Sequence, residues 1–247
     1  MSTAHWHVIQ LASRALWLPT FELEGLITIG GLRTVAAGET AWEAGALVPD
    51  HDWRTTSTTH PGITNRAFDR SVDVALMPVL DDLELLPPEQ LLKGLGDVER
   101  YLDTSTNPPG RSTLTFNPET GRLIGLHLDN WDRRLPASRC ISRNRASINL
   151  GPGWRAFVFV DIDALSGHPD QVVPDTRSTR LAMERAPTSP AVFRLMLPPG
   201  WAYIAPTESM LHDASSEGCG DIANSAAALG TFTPTPDLAK VTAVTLA

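Results

Sequence analysis

Cysteine and lysine are almost missing from this chain of 247 residues. The two cysteines, Cys140 and Cys219, form no Cys-x-x-Cys pair and supply neither a disulfide framework nor a thiolate metal site. A reducing compartment is the matching expectation. Only Lys93 and Lys240 are lysines, the other basic residues are arginines, and no block of basic charge stands out. A net charge of −8 and a pI near 5.3 exclude the electrostatic footprint of a nucleic-acid-binding surface. No apolar run approaches the ~20 residues of a membrane span. The first residues, Met1-Ser-Thr-Ala-His-Trp-His7, lack the basic region and apolar stretch of a secretory signal. These absences describe a cytoplasmic protein that meets neither membrane nor nucleic acid. They leave its oligomeric state open. With no internal repeat and no clear linker, residues 1–247 read as one domain.

What the chain does have is punctuation. Twenty prolines and 18 glycines are spread throughout, so turns are frequent and long helices few. Residues 21–29 alternate as a strand does, and residues 39–54 read as a loop or lid. One amphipathic helix is expected from Pro88 to Leu102. Two prolines open it, Glu89 sits in its first turn, and Leu91, Leu92, Leu95, Val98 and Leu102 recur at helical spacing. From residue 111 the pattern turns to strands, over 112–116, 122–129, 142–150, 155–161, 193–197 and 201–205, separated by Pro/Gly-rich turns. Residues 162–190 are polar and read as an insertion or lid, and the chain beyond 220 is small and polar. The fold class is therefore mainly β with flanking helices, a sandwich or jelly roll whose core strands lie mainly in 111–215. Residues 1–110 receive no role.

Within the 122–129 strand stands Gly125-Leu-His127-Leu-Asp129-Asn-Trp131. Side chains two apart on a strand share a face, so His127 and Asp129 can reach one metal ion together. A distant His212, in Glu208-Ser-Met-Leu-His212-Asp213, supplies a third ligand. Two imidazoles and one carboxylate form the facial triad of non-haem Fe(II) enzymes, which leaves the remaining coordination positions open. A closed structural zinc site would want four protein ligands. The other histidines, His5, His7, His51, His60 and His168, read as loop or surface residues.

The order His-x-Asp, then a Pro199-Gly200 turn, then a late histidine resembles the Fe(II)/2-oxoglutarate-dependent oxygenases over roughly residues 111–215. The resemblance implies a double-stranded β-helix, a cupin-like jelly-roll core. It also implies His127, Asp129 and His212 as iron ligands, with 2-oxoglutarate and O₂ consumed to hydroxylate, desaturate or cyclise a small molecule such as an amino acid or a natural-product intermediate. Asp129 argues against halogenation, for which the family replaces the carboxylate. The family needs a basic residue for the far carboxylate of 2-oxoglutarate, often an arginine about a dozen residues after the distal histidine. None follows His212 here. Arg143 and Arg145, sharing strand parity with Ser147 and Asn149, are the candidates for that cofactor site, Arg145 being the more central. A guanidinium suits the role because its planar fork meets a carboxylate bidentately. Glu208 or Asp213 would orient His212, since ligating histidines donate their other N–H to a carboxylate or carbonyl. Asn130 and Trp131 would line the substrate side. Two other readings stay open. One is a cupin-like metalloenzyme that does not use 2-oxoglutarate. The other is a non-catalytic β-sandwich binding module.

Overall fold

A computed structural model describes residues 6–11, 14–19, 26–55, 67–79, 86–162, 171–184 and 190–234. His5, His60 and His168 lie outside the described residues, as do parts of the 21–29 strand and of the 162–190 segment.

The first part of the chain is a series of short strands: β1 (Trp6–Gln10), β2 (Ala15–Pro19), β3 (Ile27–Gly30), β4 (Leu32–Thr34), β5 (Leu47–Pro49), β6 (Arg54–Thr55) and β7 (Val74–Pro78). Then come helix α1 (Pro88–Lys93), β8 (Gly96–Asn107), a 3-10 helix (Pro136–Ile141), β9 (Asn144–Pro152) and β10 (Arg155–Val160). Helix α2 (Thr176–Glu184), β11 (Val192–Leu197), β12 (Trp201–Ala205), β13 (His212–Ser215) and β14 (Ala223–Phe232) complete it. The protein is mainly β. Its seven-stranded sheet runs β1-β2-β7-β12-β9-β14-β8, its five-stranded sheet β13-β10-β11-β3-β6, and β4 pairs with β5 in a small third sheet. These are separate sheets, not a closed barrel.

Three apolar layers hold them. Between the two large sheets, Leu16, Leu18, Leu76 and Tyr203 of one meet Ile27, Phe157, Phe159 and Leu195 of the other. On the outer face of the larger sheet, Leu91, Leu92 and Leu95 cover Ala146, Ile148, Ala226 and Ala228. On the outer face of the smaller sheet, Leu126, Leu128 and Met183 cover Ala156, Val158 and Val160. β10 is thus covered on both faces, which is why Arg-Ala-Phe-Val-Phe-Val reads as a continuous buried run.

Several expectations fail locally. The strands expected over 112–116 and 122–129 are reduced to isolated bridges at Phe116, Leu123 and His127, and the loop expected over 39–54 contains β5 and the start of β6. The helix from Pro88 ends at Lys93, and Val98 and Leu102 belong to β8. Gly94 and Gly96 outweigh the leucine spacing. A Cβ at Gly96, whose φ is +151°, would sit 2.4 Å from the Thr231 carbonyl oxygen, so the chain there turns into a strand against β14. The small, polar stretch beyond 220 is β14, paired with both β8 and β9. Its alanines let α1 approach the sheet. Within 162–190, residues 176–184 form α2. Arg180 on α2 pairs with Glu43 and donates to the Ile124 carbonyl. Among the described residues no helix is long and apolar enough to cross a membrane.

Candidate metal centre

The segment carrying His127 runs extended along the edge of the smaller sheet. The Leu126 N–H donates to the Leu47 carbonyl at 2.7 Å, and the Asp129 N–H donates to the Thr207 carbonyl at 3.0 Å. Between these, His127 and His212 exchange both backbone bonds, N to O, at 3.1 and 3.0 Å. Such a directly opposed antiparallel pair projects both side chains from one face. Leu126 and Leu128 take the other face and enter the apolar layer beside Val158 and Val160. Gly125 makes the approach possible. Its φ is +72°, and a Cβ there would lie 2.4 Å from the Leu47 carbonyl oxygen.

The structure brings His127, Asp129 and His212 together. One ligand atom from each lies within 4.8 Å of the other two. All three residues are buried, at 6%, 7% and 1% exposure. The Nε2 atoms of His127 and His212 lie 3.8 and 3.7 Å from the two Asp129 carboxylate oxygens. His127 Nδ1 faces the Gly125 carbonyl at 3.0 Å, and His212 Nδ1 faces the Met210 carbonyl at 3.1 Å. A carbonyl can only accept, so each Nδ1 carries the proton and each Nε2 turns a lone pair toward Asp129. That tautomer is the one a metal ligand needs. Burial drives the His212 pKa down to about 3 against the pull of Asp129, so this imidazole is neutral across the physiological range. Burial opposes ionisation of Asp129, but its surroundings, the Arg145 guanidinium foremost, outweigh it and hold its carboxyl at about 2. Asp129 Oδ2 and His212 Nε2 are buried without a hydrogen-bond partner. Buried polar atoms are rarely left so. Two imidazole nitrogens and an ionised carboxylate aimed at one point fit a divalent first-row metal ion.

Beside the cluster opens a cavity of about 690 Å³ whose inner wall holds Arg145, Ser147, Arg155, Tyr203 and His212. Arg145 lies 3.3 Å from Asp129 Oδ2. Arg155, at 4% exposure, has no carboxylate partner among the described residues. Its one side-chain bond is a long 3.5 Å donation to the Ser147 hydroxyl, and its Nε, like that of Arg145, is unpartnered. Burial, followed by repulsion from Arg145, weakens the hold of Arg155 on its proton; Tyr203 works against both. The Tyr203 ring is fixed by stacking on Phe157 with centroids 4.0 Å apart.

Arg143 and Asn149 are not in this group. The Arg143 guanidinium pairs with Asp132, and Asn149 spends its amide on the Gly153 and Leu197 carbonyls and the Gly151 N–H. Neither Glu208 nor Asp213 touches the His212 ring nitrogens, because the Met210 carbonyl takes that place. Asp213 accepts from Thr115 and the Ala214 N–H. Glu208 accepts from the Trp131 and Asp132 N–H groups. Trp131 lines the cavity at 42% exposure, while Asn130 accepts from Arg139.

Three residues that shape the site escape sequence reasoning. Arg155 had a signal, as the lone charge heading an otherwise apolar strand. Tyr203 shared strand parity with Trp201 and Ala205 but carried no motif. Arg139, in a Pro/Ser/Arg loop, carried none. Comparison of the chain with protein-family models, with curated proteins and with solved structures finds no match.

Proposed function

We propose that this chain is a non-haem Fe(II) oxygenase that uses 2-oxoglutarate and O₂ to oxidise a small molecule. One observation carries the reading. Two imidazole Nε2 atoms and an ionised carboxylate converge, with unpartnered atoms, beside a cavity lined by two buried guanidiniums, of which Arg145 pairs with Asp129 while Arg155, attracted by Asp213 only from beyond ion-pair distance, has no carboxylate partner among the described residues. An uncompensated buried arginine is costly, so its presence implies an anion that arrives with a ligand. The order of strands supports the same reading. β8, β9, β12 and β14 lie in the larger sheet and β10, β11 and β13 in the smaller, so the chain after β8 crosses repeatedly between the two, as in a jelly roll, with the β10–β11 pair staying within one sheet.

His127, Asp129 and His212 would hold the metal. When bound, it supplies open coordination positions at which O₂ is reduced, with 2-oxoglutarate giving up two electrons as it becomes succinate and CO₂. The chain's own contribution is placement. Arg155, backed by the Ser147 and Tyr203 hydroxyls, takes the far carboxylate of the co-substrate, and this assignment replaces the expectation of Arg145, or else Arg143, with Asn149. Arg145 keeps Asp129 ionised and its carboxylate aimed. The Gly125 and Met210 carbonyls fix both imidazole tautomers. The aromatic layer of Phe157, Phe159 and Tyr203 excludes water from one side.

The test is an anaerobic titration with Fe(II) and then 2-oxoglutarate, followed by visible absorption. A weak charge-transfer band is expected in the native chain, absent in His127→Ala, and displaced to much higher 2-oxoglutarate concentration in Arg155→Leu. Iron binding with no band at any concentration would leave a metalloenzyme of the cupin kind that does not use 2-oxoglutarate. No iron binding would leave a β-sandwich binding module.

A further inference from the structure

Helix α2 has little stability of its own. Its nine residues are fewer than the ~12–15 that an isolated helix needs in water. The Asp175 carboxylate accepts the Ser178 N–H at 2.6 Å, but that caps only the first turn. The helix is held by what it docks on, and it docks on the segment that carries two of the metal ligands. Met183 enters the apolar layer of Leu126 and Leu128. Just before the helix, the Pro174 carbonyl accepts from Arg139, which also donates to the Asp129 carbonyl at 2.9 Å. Arg180, at 9% exposure, donates from Nη2 to the Ile124 carbonyl at 2.6 Å and to Glu43 at 3.2 Å, and from Nη1 to the Ala44 carbonyl at 3.3 Å. α2 therefore straps the back of residues 124–129 at both ends.

The Arg180 contact falls where that segment is least able to hold itself. The Ile124 carbonyl and the Gly125 N–H share one rigid peptide plane, so fixing the first constrains φ of the second. Gly125 stands at φ +72°, and a glycine takes positive and negative φ about equally readily. Its conformation is thus set from outside, by Arg180 before it and by the Leu47 carbonyl, which accepts the Leu126 N–H, after it. The Gly125 carbonyl in turn meets His127 Nδ1 at 3.0 Å.

We infer that Arg180 is a positioning residue of the metal centre, which sets the imidazole of His127 through the Ile124–Gly125 peptide. The interactions that dock α2 are then the ones that aim the ligand, and because such coupling is reciprocal, metal binding tightens α2. The inference rests on the metal-centre reading and is independent of 2-oxoglutarate.

Hydrogen exchange on the full chain, with and without Co(II), tests it. Co(II) is a first-row ion that suits the same ligands, and its visible absorption reports their arrangement. The α2 amides should slow by about tenfold or more on metal binding, and those of α1, on the outer face of the other sheet, should change by less than about twofold. Arg180→Leu should bind Co(II) about tenfold or more weakly, with its visible bands displaced, and should lose the protection of α2. Arg177→Leu, the same change at an exposed position of the same helix, should leave affinity and bands as they are. Co(II) binding that slows α1 and α2 equally, or leaves α2 unchanged, overturns the inference and leaves the metal centre standing. A folded Arg180→Leu chain with native Co(II) affinity and bands overturns it too. If that variant does not fold, the comparison of α1 with α2 in the native chain decides. No Co(II) binding by the native chain removes the metal-centre reading and the inference together.

Discussion

Asp129 has two sides, and they are satisfied to opposite degrees. Behind it lies Arg139, whose guanidinium is fully buried and gives its hydrogens to the Asp129, Glu208, Arg134 and Pro174 carbonyls and to Asn130 Oδ1. Glu208 lies 3.4 Å away, and its other oxygen takes the Trp131 and Asp132 N–H groups. In front of Asp129 lie unpartnered atoms of Asp129 itself, His212, Arg145 and Arg155. Both sides bury charge at a cost, as the direction of burial on Arg139 and Glu208 shows: it pulls the first pKa down and pushes the second up. The difference is that the rear cluster pairs its charges within the chain, with Glu208 Oε2 lacking a hydrogen bond but lying 3.4 Å from Arg139, whereas the front leaves four such atoms beside an open cavity. The rear is scaffold and the front is site.

The largest effect expected from breaking this contrast is at the rear. Arg139→Met leaves the Glu208 carboxylate buried without its cation and frees five oxygens, four backbone carbonyls and one side-chain amide. The cost expected is about 3–5 kcal/mol, the range for removing one member of a buried pair. Urea denaturation followed by circular dichroism reads it directly; a loss under about 1 kcal/mol would show that Arg139 is not the tie between residues 129–134, Glu208 and Pro174. The front should respond to ligand with the opposite sign. Fe(II) held anaerobically at a hundred times its Kd should stabilise the fold by about 2.7 kcal/mol through mass action. His212→Ala should abolish that gain, and an equal gain in the variant would place the metal elsewhere.

The same contrast explains what the sequence let one read. The His127-x-Asp129 pair is legible because strand parity is a local rule, and the leucines between the ligands mark the opposite face. That His212 stands directly across from His127 is a matter of register between segments far apart in the chain, which no local pattern encodes. The rear cluster is less legible still. Arg139 takes its meaning from five oxygens on three separate segments. The strand β14 was hidden because Ala, Ser and Gly have weak strand propensity; it is a strand because β8 and β9 flank it. The leucine spacing after Pro88 runs on past Gly94 and Gly96, where the helix ends, because Val98 and Leu102 keep that spacing while belonging to β8.

An intermediate effect belongs to the joint between front and rear. Gly125→Ala must either bend the left-handed backbone or push Leu47 away, and a cost of about 2 kcal/mol is expected from the conformation and the clash together. Because His127 Nδ1 leans on the Gly125 carbonyl, the same change should weaken Fe(II) binding by about tenfold or more. Unaltered iron affinity in a destabilised variant would separate the glycine's structural role from the histidine's orientation.

The smallest change in stability carries the sharpest meaning. Arg155→Leu removes a buried cation that no carboxylate among the described residues pairs with, Asp213 attracting it only from beyond ion-pair distance, and puts an apolar side chain beside Phe157 and Tyr203. If the front is a site waiting for an anion, the ligand-free protein should lose less than about 1 kcal/mol, or become more stable, because the desolvation cost of the guanidinium disappears. The 2-oxoglutarate affinity should meanwhile fall by about 10- to 100-fold, the equivalent of a charge-assisted pair worth about 1.5–3 kcal/mol. Stability up and co-substrate binding down is the combination that a scaffold residue cannot produce. Arg139, made the same way from guanidinium and burial, should show stability down whatever ligand is present. If Arg155→Leu instead unfolds the chain as Arg139→Met does, the front and rear are one structural cluster, and the anion site must be sought at Arg145.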